Sequence, residues 1–298
     1  MNVSGGIWRM VVAMGLSGTI GLFVVMSEQS ALTVVFFRCL IGALALLGWL
    51  SWKGAWQRLG TSAACLLVLG AFALVLNWLC LFSAYRISGI SIATVIYHVQ
   101  PFFLIILAAL LQKETLAWNK LAWLILAFVG VALVSGVNPG ADQGAMVAGA
   151  LLALLAAFLY ALATVATRKM AGIPPAQIAG MQLLLGVPLL APLADFSSVG
   201  AVWQSWSSLL ILGLVHTGFM YNLLYSAFQR LSASMIALLS FIYPIVAILV
   251  DLAFFNTVLS LLQVLGILLV LLALAGNQGA WHLRVGRVSA LLQRRSTR

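Results

Sequence analysis

Ten apolar runs, each near the length that crosses a bilayer as a helix, follow one another along this chain with only short polar breaks between them. They lie near 7–26, 31–51, 61–85, 90–112, 117–137, 145–170, 176–194, 206–228, 233–256 and 258–277. Lipid offers backbone N–H and C=O groups no partner, so a run of about 20 apolar residues satisfies them internally as a helix. The breaks include Ser27-Glu28-Gln29-Ser30, Trp52-Lys53-Gly54, Lys113-Glu114-Thr115, Asn138-Pro139-Gly140 and the stretch 195–208, none long enough to hold a soluble domain. Composition points the same way. Hydrophobic residues make up 64% of the chain and charged residues 7%, against roughly a quarter charged in a soluble domain. The expectation is an all-α membrane protein of ten transmembrane helices, with any function held among the helices themselves.

The basic residues set an orientation. With the N-terminus in the cytoplasm, Arg9, Lys53, Arg58, Lys113, Lys120, Arg168, Lys169, Arg230 and the five arginines from Arg284 to Arg298 all fall inside. That is thirteen of the fifteen Lys and Arg residues; Arg86 falls outside and Arg38 within a helix. An excess of Lys and Arg on cytoplasmic loops is the usual topological signal. It places both termini in the cytoplasm of a multi-pass inner-membrane protein and gives the lipid bilayer as one partner. The same cations scattered singly between apolar runs do not make a nucleic-acid surface. The first apolar run is of spanning length rather than the shorter core of a cleaved leader. Cys39, Cys65 and Cys80 each sit in an apolar run without metal or disulfide spacing, so neither metal nor cofactor is expected.

The halves repeat. Phe82-Ser83-Ala84-Tyr85 and Tyr225-Ser226-Ala227-Phe228 share an aromatic-Ser-Ala-aromatic pattern at an offset of 143 residues, which also carries Ser91 onto Ser234 and Pro101 onto Pro244. Five helices per unit is odd, so the second copy enters the membrane from the opposite side, the arrangement of two inverted five-helix repeats. The units are 1–140 and 141–280, with a basic cytoplasmic tail over 281–298.

The run from Tyr85 through Gly89 to Ala93, then Tyr97-His98-Val99-Gln100-Pro101, Lys113-Glu114-Thr115-Leu116 and Gly130-Val131, resembles the first EamA repeat of the drug/metabolite transporter superfamily. Ala153 to Met170, with Tyr160 and Arg168-Lys169, resembles the opening helix of the second repeat, and the Pro244 region its fourth. Asn256-Thr257 stands where the first repeat has Lys113-Glu114. The resemblance implies a ten-helix exporter, with amino acids and related metabolites among the superfamily's substrates, aromatic amino acids in its YddG-type members.

Helical-wheel geometry groups the polar candidates. Ser91, Thr94, Tyr97, His98 and Pro101 form a stripe on the fourth helix, with Gln100 pointing elsewhere; such a stripe faces a cavity or another helix, since lipid cannot satisfy it. Trp78, Phe82 and Tyr85 share a face of the third helix, and their repeat mates Tyr221, Tyr225 and Phe228 share one on the eighth, joined by Thr217. These walls either line a central cavity and stack on a solute or serve packing and the interfacial aromatic belt. Tyr160 joins them from a small-residue face of the sixth helix, and Tyr243 with Pro244 from the ninth. Pro101 and Pro244 each remove a backbone hydrogen bond at mid-membrane and permit a kink or hinge.

Arg38 can attract a substrate carboxylate, or it can snorkel outward or pair with Glu28. His98 can relay protons, or stay a hydrogen-bonded neutral imidazole. His216 projects away from the aromatic face. The function these features favour is a secondary transporter exporting a small metabolite by alternating access, proton-coupled or facilitative. Its expected substrates are amino acids, aromatic or apolar ones among them. The chain has no phosphate-binding loop that would couple it to ATP. The alternative is an integral-membrane enzyme acting on lipid or headgroup substrates, which needs the clustered acidic or histidine residues this chain disperses.

Overall fold

The computed structural model describes residues 3–88, 93, 96–112, 118–135, 143–194, 196, 203–255 and 261–278, and every regular element among them is helical. Ser91, Thr94, the Lys113-Glu114 break, Asn138, Asp142, Asp195, Asn256 and the basic tail lie outside the described residues, as do the side chains of Tyr85, Arg86, Lys120 and Asp251. The first half contains α1 (Val3–Ser27), α2 (Ala31–Trp52), α3 (Thr61–Ser88), α4 (Gln100–Gln112) and α5 (Trp118–Ser135). The second contains α6 (Gln143–Lys169), α7 (Pro175–Leu190), α8 (Trp203–Gly213), α9 (Met220–Phe228), α10 (Ala233–Leu239), α11 (Ile242–Phe255) and α12 (Leu261–Gln278). A π-helical segment, Leu214–Phe219, joins α8 to α9 without a turn.

Five described stretches are long and apolar enough to cross a membrane: Val3–Val24, Ala31–Trp52, Thr61–Ala84, Val147–Lys169 and Ser205–Phe228. Shorter apolar helices fill the remaining places, among them Gln100–Leu111, Leu121–Gly130 and Pro175–Leu190. The sequence predicts ten runs of similar length; backbone breaks account for part of the difference. His98 and Val99 form a turn before α4, which puts Pro101 in the first helical turn rather than halfway along a continuous helix. Ser240 and Phe241 do the same before α11 and Pro244. At these places hydrogen bonds reach back three residues, from Phe102 N to Val99 O and from Phe241 N to Leu238 O. A proline in the first turn gives up an N–H that would have had no helical partner anyway. Each proline therefore starts a new helix after a break.

Large apolar side chains such as Trp8, Leu110, Leu151, Phe254 and Leu261 point outward, a surface that suits lipid and not water. Inside, Ala153, Ala156, Ala157 and Ala161 are fully buried, and small residues on α6 let it lie close along α3. The extensive seams run between halves. α3 packs on α6 as α8 and α9 pack on α1; α4 packs on α6 as α11 packs on α1; α3 meets α7 as α8 meets α2. The seams α2 with α7 and α5 with α12 join an element to its own counterpart, and α4 packs on α10, which precedes its counterpart α11.

The two ends of the bundle differ. At one end Gln177 exchanges two hydrogen bonds with the Gln57 backbone, 3.0 and 2.8 Å, so the 53–60 loop lies against the start of α7. Arg9, Gly172 and Arg230 share that end. At the other, Ser205 Oγ donates to Ser27 O at 2.8 Å, beside Glu28, which takes a left-handed φ of 54° in the turn before the Ser30 cap of α2.

Candidate functional site

Arg38 sits in α2 with 2% of its surface exposed. Its Nε donates to Thr217 Oγ1 at 3.0 Å, and its guanidinium carbon lies 4.6 Å from the centroid of the Trp78 ring. Glu28 is exposed, and among the described residues no carboxylate pairs with Arg38. Thr217 can hold this bond because it lies in the π-helical segment, where its own hydroxyl donates to Leu212 O, five residues back, at 2.8 Å. Such wide turns recur at functional sites. Gly42, one turn beyond Arg38, makes room: a methyl there would lie 2.6 Å from Thr217 Cγ2.

From Trp78 a chain of ring contacts runs through the interior. Tyr221 meets Trp78 edge-on at 5.8 Å, Tyr225 lies 5.5 Å from Tyr221, and Phe228 stacks 5.9 Å from Tyr225. Tyr160 lies 6.4 Å from Phe228, Tyr97 6.1 Å from Tyr160, and His98 6.3 Å from Tyr97. His98 then lies nearly parallel to Tyr243, 5.5 Å away with an interplanar angle of 8°. This circuit of rings runs from Trp78, beside Arg38, to Tyr243. Rings from both halves thus meet in the interior, at spacings where offset and edge-to-face pairs are favourable.

The sequence-derived site residues Arg38, Trp78, Tyr97, His98, Tyr160, Tyr221, Tyr225 and Tyr243 all belong to this circuit. Phe82 is half-buried against the apolar core beside it, and Thr94 lies outside the described residues. Pro101 and Pro244 stand just past the two backbone breaks. His216 is buried elsewhere, its Nε2 2.8 Å from Thr19 Oγ1 and its ring against Phe23, so it fastens the π-helical segment to α1.

Three amides complete the surroundings; the sequence reading turned Gln100 away from the polar stripe and passed over Asn77 and Gln182. Asn77 Nδ2 donates to Ala156 O at 2.7 Å and to Tyr97 Oη at 3.3 Å. Tyr225 Oη donates to Gln182 Oε1. Gln100 Nε2 donates to Ser240 Oγ at 3.3 Å, joining the two breaks across the halves. Asn77 Oδ1, Gln182 Nε2 and Gln100 Oε1 are buried without a hydrogen-bond partner among the described residues. The available signal was an amide inside an apolar run; wheel geometry drawn for a continuous helix turned Gln100 away because the real helix breaks at His98.

The EamA-like transporter family matches this chain twice, over residues 4–136 and 147–277. The chain belongs to this family. As an EamA-like member of the drug/metabolite transporter superfamily, it is a multi-pass membrane protein built on a tandem repeat. It is 30% identical over 277 residues to the uncharacterized transporter YxxF of Bacillus subtilis strain 168, covering 91% of this chain and 89% of that one. An uncharacterized transporter of Haemophilus influenzae is 25% identical over 235 residues, covering 77% of each chain. A crystal structure at 20% identity shares the fold, with a TM-score of 0.78 over 99% of both chains. This EamA-like chain therefore carries its aromatic circuit at the meeting of the two matched repeats.

Proposed function

We propose that this EamA-like protein is a secondary exporter of small amphipathic metabolites, amino acids foremost and aromatic or apolar ones among them, working by alternating access. The observation that carries the reading is the buried Arg38, without a carboxylate partner among the described residues, set into a circuit of aromatic rings drawn from both halves. A lone guanidinium inside a bundle is costly unless something offsets it, and a substrate carboxylate does so with charge-assisted bonds. The rings offer the rest of an amphipathic solute a flat apolar surface.

The finer architecture belongs to the same proposal: ten spans, 1–140 and 141–280 as inverted repeats, the 281–298 tail inside, and both termini in the cytoplasm of the inner membrane. The exchange-symmetric seams between halves support a two-fold relation between the repeats, and five spans in each make that relation an inverted one. The shared end of Arg9, the 53–60 loop and Arg230 supports a basic cytoplasmic face. His98, stacked on Tyr243 beside the break of the first half, is the group assigned to proton coupling.

Uptake of labelled amino acids into proteoliposomes, with and without an imposed pH gradient, tests the reading. Saturable flux of carboxylate-bearing solutes is expected, and Trp78→Ala or Tyr221→Ala should lower it about tenfold while folded protein remains, the scale of one lost ring contact with its burial. Flux unaltered in both variants would return the rings to packing. No flux for any carboxylate solute from folded protein would end the export proposal.

A further inference from the structure

Away from the aromatic circuit, at the basic end of the bundle, a cleft of about 620 Å³ opens between the first turns of α1, the 171–175 connection and the 229–230 turn. Arg9 and Arg230 both line it. Arg9 spends one N–H on Gly5 O at 2.8 Å and Arg230 one on Ser226 Oγ at 2.6 Å, out of five that each guanidinium carries. No carboxylate among the described residues accompanies them. Desolvation first, and then the charge of Arg9, lowers the pKa of Arg230. Two like charges line one cleft here, with no counter-ion among the described residues.

The cleft is built rather than incidental. Gln229 Nε2 donates to Met170 O at 3.2 Å and Ile173 O at 3.0 Å, fixing the wall opposite α1. Gly172, at φ 101°, turns that wall before Pro174 and Pro175 stiffen it. Gly6 lets α1 come close: a methyl there would lie 2.9 Å from Leu231 Cδ2 and 3.2 Å from Arg230 Cβ. Trp8, next to Arg9, is 67% exposed, the behaviour of a ring at the boundary between acyl chains and headgroups.

We propose that this cleft binds a phosphate oxyanion, presented by an anionic phospholipid headgroup. Paired guanidiniums suit phosphate through forked, charge-assisted hydrogen bonds. Basic pockets between helices at the cytoplasmic surface recruit such lipids. A bound lipid would tie α1 of one half to the 171–175 and 229–230 segments of the other, outside the solute path.

Thermal unfolding of the full chain in neutral detergent tests this, with dioleoyl-phosphatidylglycerol, dioleoyl-phosphatidylcholine or inorganic phosphate added. Phosphatidylglycerol should raise Tm by a few degrees and phosphatidylcholine should not. The shift should shrink in Arg9→Gln and Arg230→Gln. It should vanish in Ala171→Glu, which keeps both arginines and sets a carboxylate among them. Native mass spectrometry should show phosphatidylglycerol retained about tenfold less in either arginine variant, the scale of one charge-assisted hydrogen bond. Inorganic phosphate reproducing the full shift, with nothing added by phosphatidylglycerol, would keep the oxyanion site and overturn the lipid as its source. Equal shifts with both lipids, or a full shift in all three variants, would overturn the site.

Discussion

A guanidinium inside a bilayer costs several kcal/mol unless hydrogen bonds, a ring face or an anion offset it. Arg38 has its Nε on Thr217 and its guanidinium carbon over the Trp78 ring, which leaves the outer fork of the guanidinium to a solute under the export proposal. Arg38→Gln should raise the KM for carboxylate solutes by about tenfold or more, the worth of a hydrogen bond to a charged group. Arg38→Lys should not rescue it, because an ammonium lacks both the planar face and the Nε–H that Thr217 accepts. Initial-rate flux in proteoliposomes reads both variants, and wild-type KM in Arg38→Gln would remove the arginine from substrate binding. His98 carries a separate expectation. An imidazole can take up and release a proton, so a relay through His98 makes flux pH-dependent. His98→Gln, which keeps a polar side chain without a titrating group, should flatten the profile. An unchanged profile would leave His98 a packing partner of the Tyr97 and Tyr243 rings.

Among the elements, the π-helical segment does what a regular helix would not. It lets Thr217 donate five residues back to Leu212 O while its hydroxyl still accepts from Arg38. The close approach of α2 depends on Gly42, whose missing side chain leaves space for the Thr217 methyl. Gly42→Ala should therefore cost about 1–3 kcal/mol as an overpacked contact. It should lower the thermal midpoint and also the affinity for carboxylate solutes, because the guanidinium moves with Thr217. A lowered midpoint with unchanged affinity would separate the segment from the site. The two backbone breaks are the other elements of note. His98–Val99 and Ser240–Phe241 lie within one residue of equivalent places in the halves, and Gln100 reaches Ser240 across them. Short breaks of this kind let half-helices pivot without disturbing the spans above and below.

At the scale of the whole molecule, the main seams join halves rather than neighbours within a half. α3 on α6, α2 on α7 and α5 on α12 outweigh the contacts of α2 with α1 or α3. A half made alone would expose the small-residue faces that its counterpart covers. Co-expressed fragments 1–140 and 141–298 should therefore assemble and restore flux, whereas either fragment alone should be degraded or aggregate. Immunoblotting of membranes with fragment co-purification checks this. A stable, monodisperse single fragment would show that each repeat folds without the other.

The apolar runs, the basic bias and the 143-residue offset made a helical membrane protein with a duplicated plan legible from sequence, because lipid imposes helix length and charge placement segment by segment. The aromatic faces of α3 and α9 were legible for a similar reason: regular helices keep their wheel angles, so Trp78 and Tyr221 could be matched before their contact was known. Tertiary structure decided what depends on departures from regularity and on neighbours distant in the chain. The π-helical turn at Thr217 and the breaks at His98 and Ser240 shift every wheel angle after them, which is why Gln100 was turned the wrong way. Asn77 and Gln182 look like isolated polar interruptions until α6 and α9 bring Ala156 O and Tyr225 Oη to them. Arg38 stood between snorkelling, an ion pair and a substrate role for the same reason: its surroundings come from α3 and the Thr217 segment, and only the packing of the two halves brings them together.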